Sequence, residues 1–410
     1  MGLAATVVGA FALLGQVTLG VVLVAALAPL LVDAALLATR PIETRLLAPF
    51  VREAERRLTQ VAPRVVAITG SFGKTSTKSY LRGLLADRFE VCPSPASFNN
   101  RAGLARAINE HLHPGAEVFI AEMGTYGRGE IRDLCEWVTP EVGVITSIGP
   151  VHLERMGTLE TIVLAKREIL ERARVAVLNV DDPLLAALAE EVTATGMAVI
   201  RCGSRGDDLH VAVRVIERTD DRTRVAITTT DGAESASVEA TAPDGGLQLT
   251  NLACAIGAAR GLGATDLDLP AGIGRLHNPD HRQVVERGPS GVLVIDDSYN
   301  ANPTGVQSAL NRLAELDVTG RRAVVPPGMG ELGARPGEEN QRFAHDAGAV
   351  ADVVLVVGRT DLEALLDGLD GGSAEVHWFP TREAATRWVG DQLGAGDAVL
   401  YENDLPDHYP

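Results

Sequence analysis

The densest group of chemically capable residues is Thr69-Gly70-Ser71-Phe72-Gly73-Lys74-Thr75-Ser76-Thr77. It lies between the β-branched run Val65-Val66-Ala67-Ile68 and a helical pattern from Thr75 to Asp87. Gly70 and Gly73 let backbone N–H groups curl around a phosphate, and a helix amino terminus adds its dipole at the same place. Lys74 would reach the β- and γ-phosphates, and the Thr75 hydroxyl would ligate magnesium. With Ser71 and Ser76, these residues are the candidate nucleotide-binding set. The loop has the short G-x-x-G-K-T form, because Ile68 stands where the longer pattern has its first glycine. Glu122 follows the strand-like run Val118–Ala121. A carboxylate at a strand end is a natural magnesium ligand. Such a set performs phosphoryl transfer mainly by positioning and charge neutralisation.

The elements that must hold these residues read as α/β. Further strand candidates are Val142–Ser147, Val175–Asn179, Val292–Ile295, Ala323–Val325 and Val353–Val357, with helical patterns between most of them. That alternation implies mostly parallel sheets with right-handed crossovers. Residues 207–245 differ: Val211-Ala212-Val213-Arg214-Val215 and Arg224-Val225-Ala226-Ile227 flank turn residues, the pattern of an antiparallel insertion. The Gly/Pro-rich stretch Leu269–Asp280 precedes a new strand and marks a domain boundary. The expected organisation is a P-loop domain with a mostly parallel sheet over 63–278 and a smaller Rossmann-like α/β domain over 279–410.

The amino terminus reads differently. Residues Met1 to Val32 carry no charged side chain. A spanning helix needs about 20 apolar residues, so either one tilted transmembrane helix or a helical hairpin turning near Gly15-Gln16 would fit. No positive charge precedes the run, unlike a signal peptide. Arg40, Arg45, Arg52, Arg56 and Arg57 follow it, which places the bulk of the chain on the cytoplasmic side. The expectation is a membrane anchor over 1–38, an amphipathic connector or ordinary solvated helix over 39–62, and a location at the cell membrane with the catalytic domains cytoplasmic.

Composition closes off other classes. With 37 basic and 54 acidic residues the net charge is −17, which argues against a nucleic-acid partner. The four cysteines, at 92, 135, 202 and 254, show no metal-binding spacing and no disulfide framework.

Several ordered strings resemble the Mur ligases, which use ATP to join a carboxylate to an amine in peptidoglycan synthesis. The short phosphate loop is typical of them. Ser97-Phe98-Asn99-Asn100-Arg101-Ala102-Gly103 is similar to the family's substrate loop. Ala121-Glu122-Met123-Gly124 with Gly129-Glu130-Ile131 resembles the acidic motif of the UDP-N-acetylmuramoyl-tripeptide–D-alanyl-D-alanine ligase branch. Thr146-Ser147-Ile148-Gly149-Pro150-Val151-His152-Leu153-Glu154, Ala165-Lys166-Arg167-Glu168-Ile169, Asn179-Val180-Asp181-Asp182-Pro183 and Thr250-Asn251-Leu252-Ala253-Cys254-Ala255 follow in the family's order. Asp296-Asp297-Ser298-Tyr299-Asn300-Ala301-Asn302-Pro303 is the most branch-specific string.

The resemblance implies ATP with two magnesium sites. It makes Lys74, Glu122, His152 and Lys166 the catalytic set, and Thr75, Glu122, His152 and Lys166 the metal set. Lys166 matches a lysine that is often carbamylated, which turns a cation into an anionic ligand. Taken alone, His152 reads as a loop histidine and Lys166 as a surface residue beside Glu168. The resemblance also gives Asn251 an adenine contact, Arg282 a phosphate contact from the carboxy-terminal domain, and Asp297 a ribose contact. Asn99, Asn100, Tyr299, Asn300 and Asn302 become candidate substrate contacts.

Departures bear on the substrate. About 63 residues precede the phosphate-loop strand, most of them in the apolar run, which leaves no room for a soluble UDP-binding domain. A lipid-linked or peptide carboxylate delivered at the membrane is therefore an expected substrate, with an amine as the second. Pro326-Pro327-Gly328-Met329-Gly330-Glu331-Leu332-Gly333 lacks the branch's aspartate before the methionine. Where the branch has Lys-Gly-Ser, this chain has Tyr401-Glu402-Asn403-Asp404-Leu405-Pro406-Asp407. Acidic residues there would favour a cationic amine over D-Ala-D-Ala. The leading reading is a membrane-anchored ATP-dependent amide ligase. Its alternatives are another P-loop kinase or ATPase and a non-catalytic subunit acting with a partner subunit.

Overall fold

The computed structural model describes residues 5–7, 17–95, 98–150, 153–219, 222–232, 234–243, 246–276, 283–298, 303–329 and 336–402. For most of residues 17–43, and for Leu153, Glu154, Val284 and Thr304, it describes the backbone alone. The first element, α1, is a single helix over Val17–Val61. The expected hairpin turn near Gly15-Gln16 lies outside the described residues. The expected connector is continuous with the helix before it, because charged residues from Asp33 onward interrupt the apolar pattern without interrupting the helix. Among the described residues no helix is long and apolar enough to cross a membrane, so the expected transmembrane helix is not found there.

From residue 64 the chain alternates. β1 (Arg64–Thr69), α2 (Lys74–Leu85), β2 (Val91–Pro93), α3 (Arg101–His111), β3 (Val118–Glu122), α4 (Glu130–Trp137) and β4 (Val142–Ile145) come first. Then follow α5 (Leu153–Met156), α6 (Leu159–Lys166), a 3₁₀ turn (Arg167–Leu170), β5 (Val175–Asn179), α7 (Pro183–Ala194) and β6 (Ala198–Gly203). β7 (Val211–Arg218), β8 (Thr223–Asp231), β9 (Glu234–Ala242), α8 (Leu249–Gly261) and α9 (Leu269–Ile273) complete this part.

One nine-stranded sheet runs in the order β2-β3-β1-β4-β5-β6-β7-β8-β9. It is parallel from β2 to β7, and antiparallel only from β7 to β9. The antiparallel segment expected over 207–245 is present, but it extends this sheet through Cys202↔Val211 pairing instead of standing apart. The central strands are nearly all buried because helices cover both faces, as their unbroken Val/Ile/Ala runs require. Val66, Ile68, Leu81, Val144, Leu252 and Ile273 belong to one core. Ile273 and Leu276 place the first half of the Gly/Pro-rich stretch on that core, while residues 277–282 lie outside the described ones.

The second sheet is built from β10 (Val284–Arg287), β11 (Leu293–Asp297), β12 (Arg322–Val325), β13 (Val353–Val357), β14 (Glu375–Phe379) and β15 (Ala398–Glu402). Its helices are α10 (Pro303–Glu315), α11 (Pro336–Val350), α12 (Leu362–Leu369) and α13 (Arg382–Gln392). The order is β10-β11-β15-β12-β13-β14, with only β10 antiparallel. The last described strand thus enters the middle of the sheet. Its neighbour β11 pairs Asp297 with Glu402. Ligands of open parallel sheets bind beyond the carboxyl ends of the strands, and that rule points to Thr69–Gly73, Glu122, Asp297 and Glu402.

Candidate active site

β1 delivers its last residue, Thr69, into a loop that only glycine can complete. Gly70 has φ +154° and Gly73 φ +80°. A Cβ on Gly70 would stand 2.0 Å from Thr146 Oγ1, and one on Gly73 would stand 2.2 Å from Asn251 Oδ1. The strand-end string after β4 clasps the loop. Ser71 N donates to Ser147 O at 2.9 Å, Phe72 N donates to Ser147 Oγ at 2.9 Å, and Gly149 N donates to Ser71 Oγ at 2.9 Å. No side chain caps α2, which leaves its first-turn amides to whatever the loop encloses. Lys74 Nζ donates to Gly70 O at 2.7 Å, folding back over the turn. This is a cradle of backbone amides at a helix amino terminus, the arrangement that holds a nucleotide phosphate.

Glu122 ends β3 beside it. Its Oε2 accepts from Thr75 Oγ1 at 3.1 Å and from Lys78 Nζ at 2.8 Å, and its Oε1 accepts from Asn99 Nδ2 at 3.4 Å. The Lys78 and Glu122 side chains are only 7% and 3% exposed, so the charges are paired away from water. Lys78 is not in the expected set. Its signal is in the sequence, since it lies one helical turn after Lys74 and shares its face of α2. Asn100 next door acts locally: its Oδ1 accepts from Gly103 N at 2.8 Å and caps α3.

Lys166 closes α6 and is 4% exposed. Read without the family it is a surface residue; the structure corrects that. Burial, with the Lys74 charge adding to it, holds its ammonium well below the usual lysine range. Glu168, two residues on, is also buried, and accepts from Gly129 N at 2.8 Å at the start of α4. His152 lies outside the described residues, as do Arg282, Tyr299, Asn300 and Asn302. Among the described residues no group of three or more His, Cys, Asp or Glu side chains could hold a metal ion. Thr75 and Glu122 are the two oxygen donors of the expected set that come together, and they suit a hard divalent cation beside the phosphates.

Facing the loop is a cleft of about 350 Å³, lined on one side by Phe72, Gly73, Ser76 and Asn251 and on the other by Gln283, Asp297 and Ser308. Asn251, on α8, is held by Gln248, whose own N–H donates to Tyr80 Oη at 3.3 Å. Gln283 immediately precedes β10. Its backbone is left-handed at φ +53°, and its Nε2 donates to Asp297 Oδ2 at 3.3 Å. The structure therefore brings Asn251 and Asp297, separated by 46 positions, to one cleft with the phosphate loop.

A phosphate cradle on a parallel sheet, opened toward a second α/β sheet that contributes an aspartate, defines an ATP-using α/β enzyme of the P-loop type. Comparison with known proteins agrees. The Mur ligase middle domain matches residues 68–259, and the Mur ligase glutamate ligase domain matches 281–401. The UDP-N-acetylmuramoyl-tripeptide–D-alanyl-D-alanine ligase of Mycobacterium tuberculosis is 32% identical over 360 residues, covering 82% of this chain and 69% of that one. The structure of MurF from Thermotoga maritima in complex with ADP superposes with a TM-score of 0.75 at 27% identity, covering 87% of this chain and 80% of that one. MurF from Acinetobacter baumannii gives the same TM-score at 25% identity, over 87% and 77%. This chain belongs to the Mur ligase family, whose members are ATP-dependent carbon–nitrogen ligases.

Proposed function

We propose that this ligase activates the carboxylate of a peptide-bearing peptidoglycan precursor and joins it to an amine. The observation that supports this best is the shared cleft, in which Phe72 and Gly73 of the phosphate cradle and Ser76 of α2 come together with Asn251 and Asp297. In the proposed reaction a carboxylate oxygen attacks the γ-phosphorus of ATP and ADP leaves. The amine nitrogen then attacks the acyl carbon, phosphate departs with the C–O bond electrons, and the nitrogen loses its proton. Lys74 and the loop amides would hold the phosphates through both steps, and Asn251 and Asp297 would hold the nucleoside. Bound magnesium would neutralise phosphate charge at Thr75 and Glu122. Carbamylation of Lys166 would place an anion where a buried amine now stands, and suits a second magnesium site.

The named activity of the relatives makes UDP-muramoyl-tripeptide the first carboxylate to offer, with lipid-linked and free peptide carboxylates as the second set. Purified full-length chain would receive Mg-ATP, each carboxylate and a panel of amines, with ADP and product mass read together. Amide formation that needs both partners supports the reading. ADP release indifferent to the carboxylate, with no amide formed, overturns it in favour of another P-loop activity. Attachment to a membrane through residues 1–32 rests on sequence alone. Salt-resistant recovery in the membrane fraction would support it, and recovery in the soluble fraction would remove it.

A further inference from the structure

The reaction above gives no role to Lys78, the cation buried against Glu122. Its Nζ donates to Glu122 Oε2 at 2.8 Å, and Thr75 Oγ1 donates to the same oxygen at 3.1 Å. A carboxylate oxygen has two lone pairs, so these two donors fill Oε2. Oε1 accepts from Asn99 Nδ2 at 3.4 Å, a long and weak bond, and is the oxygen left to offer a metal. The residue itself is pinned, since Glu122 N donates to Ser94 Oγ at 3.1 Å. Thr75 has committed its proton to Glu122 and has lone pairs to offer a cation.

Lys78 also cancels the charge of Glu122. The two side chains are 7% and 3% exposed, so water does little to screen the ammonium from anything that approaches the carboxylate. Lys74, one helical turn earlier, adds a second ammonium over the loop. Two ammoniums and one carboxylate with one open oxygen make a poor site for a free divalent cation, which gives up its water reluctantly. Phosphates in the cradle reverse that balance, because they bring negative charge and further oxygen ligands. Resting on the reading of this loop as a nucleotide site, we propose that Lys78 is a positioning residue that makes divalent-cation binding conditional on nucleotide. It fills one oxygen of Glu122 and neutralises its charge, so the cation enters with the phosphates and not before them. By the same contact it prevents bidentate chelation by Glu122, the mode that calcium favours.

The test reads metal binding directly. Manganese(II) is titrated into the full chain with and without ADP, and bound metal is followed by electron paramagnetic resonance. The parent should bind manganese with ADP present and show no binding at the same concentrations without it. Lys78→Met should bind manganese without ADP about tenfold or more tightly than the parent, because one unit of opposing charge is gone. Calcium alone should raise the Tm of Lys78→Met and leave that of the parent unchanged. Lys78→Gln, also without the charge, serves should Lys78→Met not fold. Lys78→Arg keeps the charge and should behave as the parent, and adding Glu122→Gln to Lys78→Met should abolish the new site. A merely structural role for Lys78 would weaken manganese binding in every state. Binding to the parent as tight without ADP as with it, or no gain on removing the Lys78 charge, overturns the proposal. The parent arm needs no variant. Failure of ADP to bind at all, read by calorimetry, would sink the nucleotide reading separately.

Discussion

Two buried glutamates end strands of the two sheets, and their surroundings are opposite. Glu122 sits against an ammonium, a hydroxyl and an amide. Glu402 sits against a carboxylate, with no hydrogen bond to its oxygens among the described residues. Both are nearly inaccessible to water. Burying one charge with its partner built in gives a rigid feature that is complete without ligand. Burying another carboxyl beside a like charge, with no partner, raises its pKa and favours the protonated form. The phosphate end is therefore preorganised as a charged pair, while the carboxyl at the end of β15 is held in its neutral form.

The comparison can be broken at its strong side first. Lys74→Ala removes the ammonium that folds over the loop, and ADP release should fall about a thousandfold, the scale of losing one preorganised charge on a transferring phosphoryl group. Nucleotide binding measured alongside separates a lost step from a lost ligand. Next, Lys78→Met leaves Glu122 buried without its cation. Breaking one side of such a pair costs about 3–5 kcal/mol, to be read as a lowered denaturation midpoint. A variant as stable as the parent would mean that Glu122 is not held as a charged pair.

Gly73→Ala should cost about 1–3 kcal/mol and weaken nucleotide binding, because its positive φ is strained for alanine and the new Cβ would meet Asn251. Calorimetry with ADP checks the second effect. The smallest change sharpens the other side. Glu402 has a folded-state pKa above its ordinary value of 4.5, so the folded chain holds a proton that the unfolded chain releases. Its contribution is fully present below 4.5 and is lost as pH rises through the folded value. Glu402→Gln removes that loss. The variant's gain in Tm over the parent should grow as the pH rises above 4.5. A constant difference across that range would show that Glu402 is not the titrating group.

The same contrast explains what can be read from the amino acids. The Gly70–Thr75 cradle is legible because its donors are neighbours in sequence and lie between a strand and a helix with different periodicities. Val175–Asn179 and Val353–Val357 are legible because β-branched runs of that length read as buried strands. β15 is not expected as a strand, although all five of its residues are buried. Its neighbours β11 and β12 come from about 75 to 105 residues earlier, and no local pattern encodes that insertion. So the acidic string at 401–407 can be noticed, but not that Glu402 lies beside Asp297. Lys166, read alone, is misplaced for a related reason: a lysine at the end of α6 looks solvated until the elements around it are packed. Gln283, absent from the expected site residues, gains meaning only through its bond to Asp297.

Whether the cradle and the second sheet act together as an ATP-dependent ligase is read most directly from ADP release. The full chain would receive Mg-ATP with carboxylate and amine each supplied alone and then together, and the product would be weighed. A ligase yields ADP, phosphate and an amide in equal amounts only when both substrates are present, and all three fall together, about a thousandfold, after Lys74→Ala. ADP formed at the same rate without carboxylate, or a phosphorylated acceptor in place of an amide, would contradict that function.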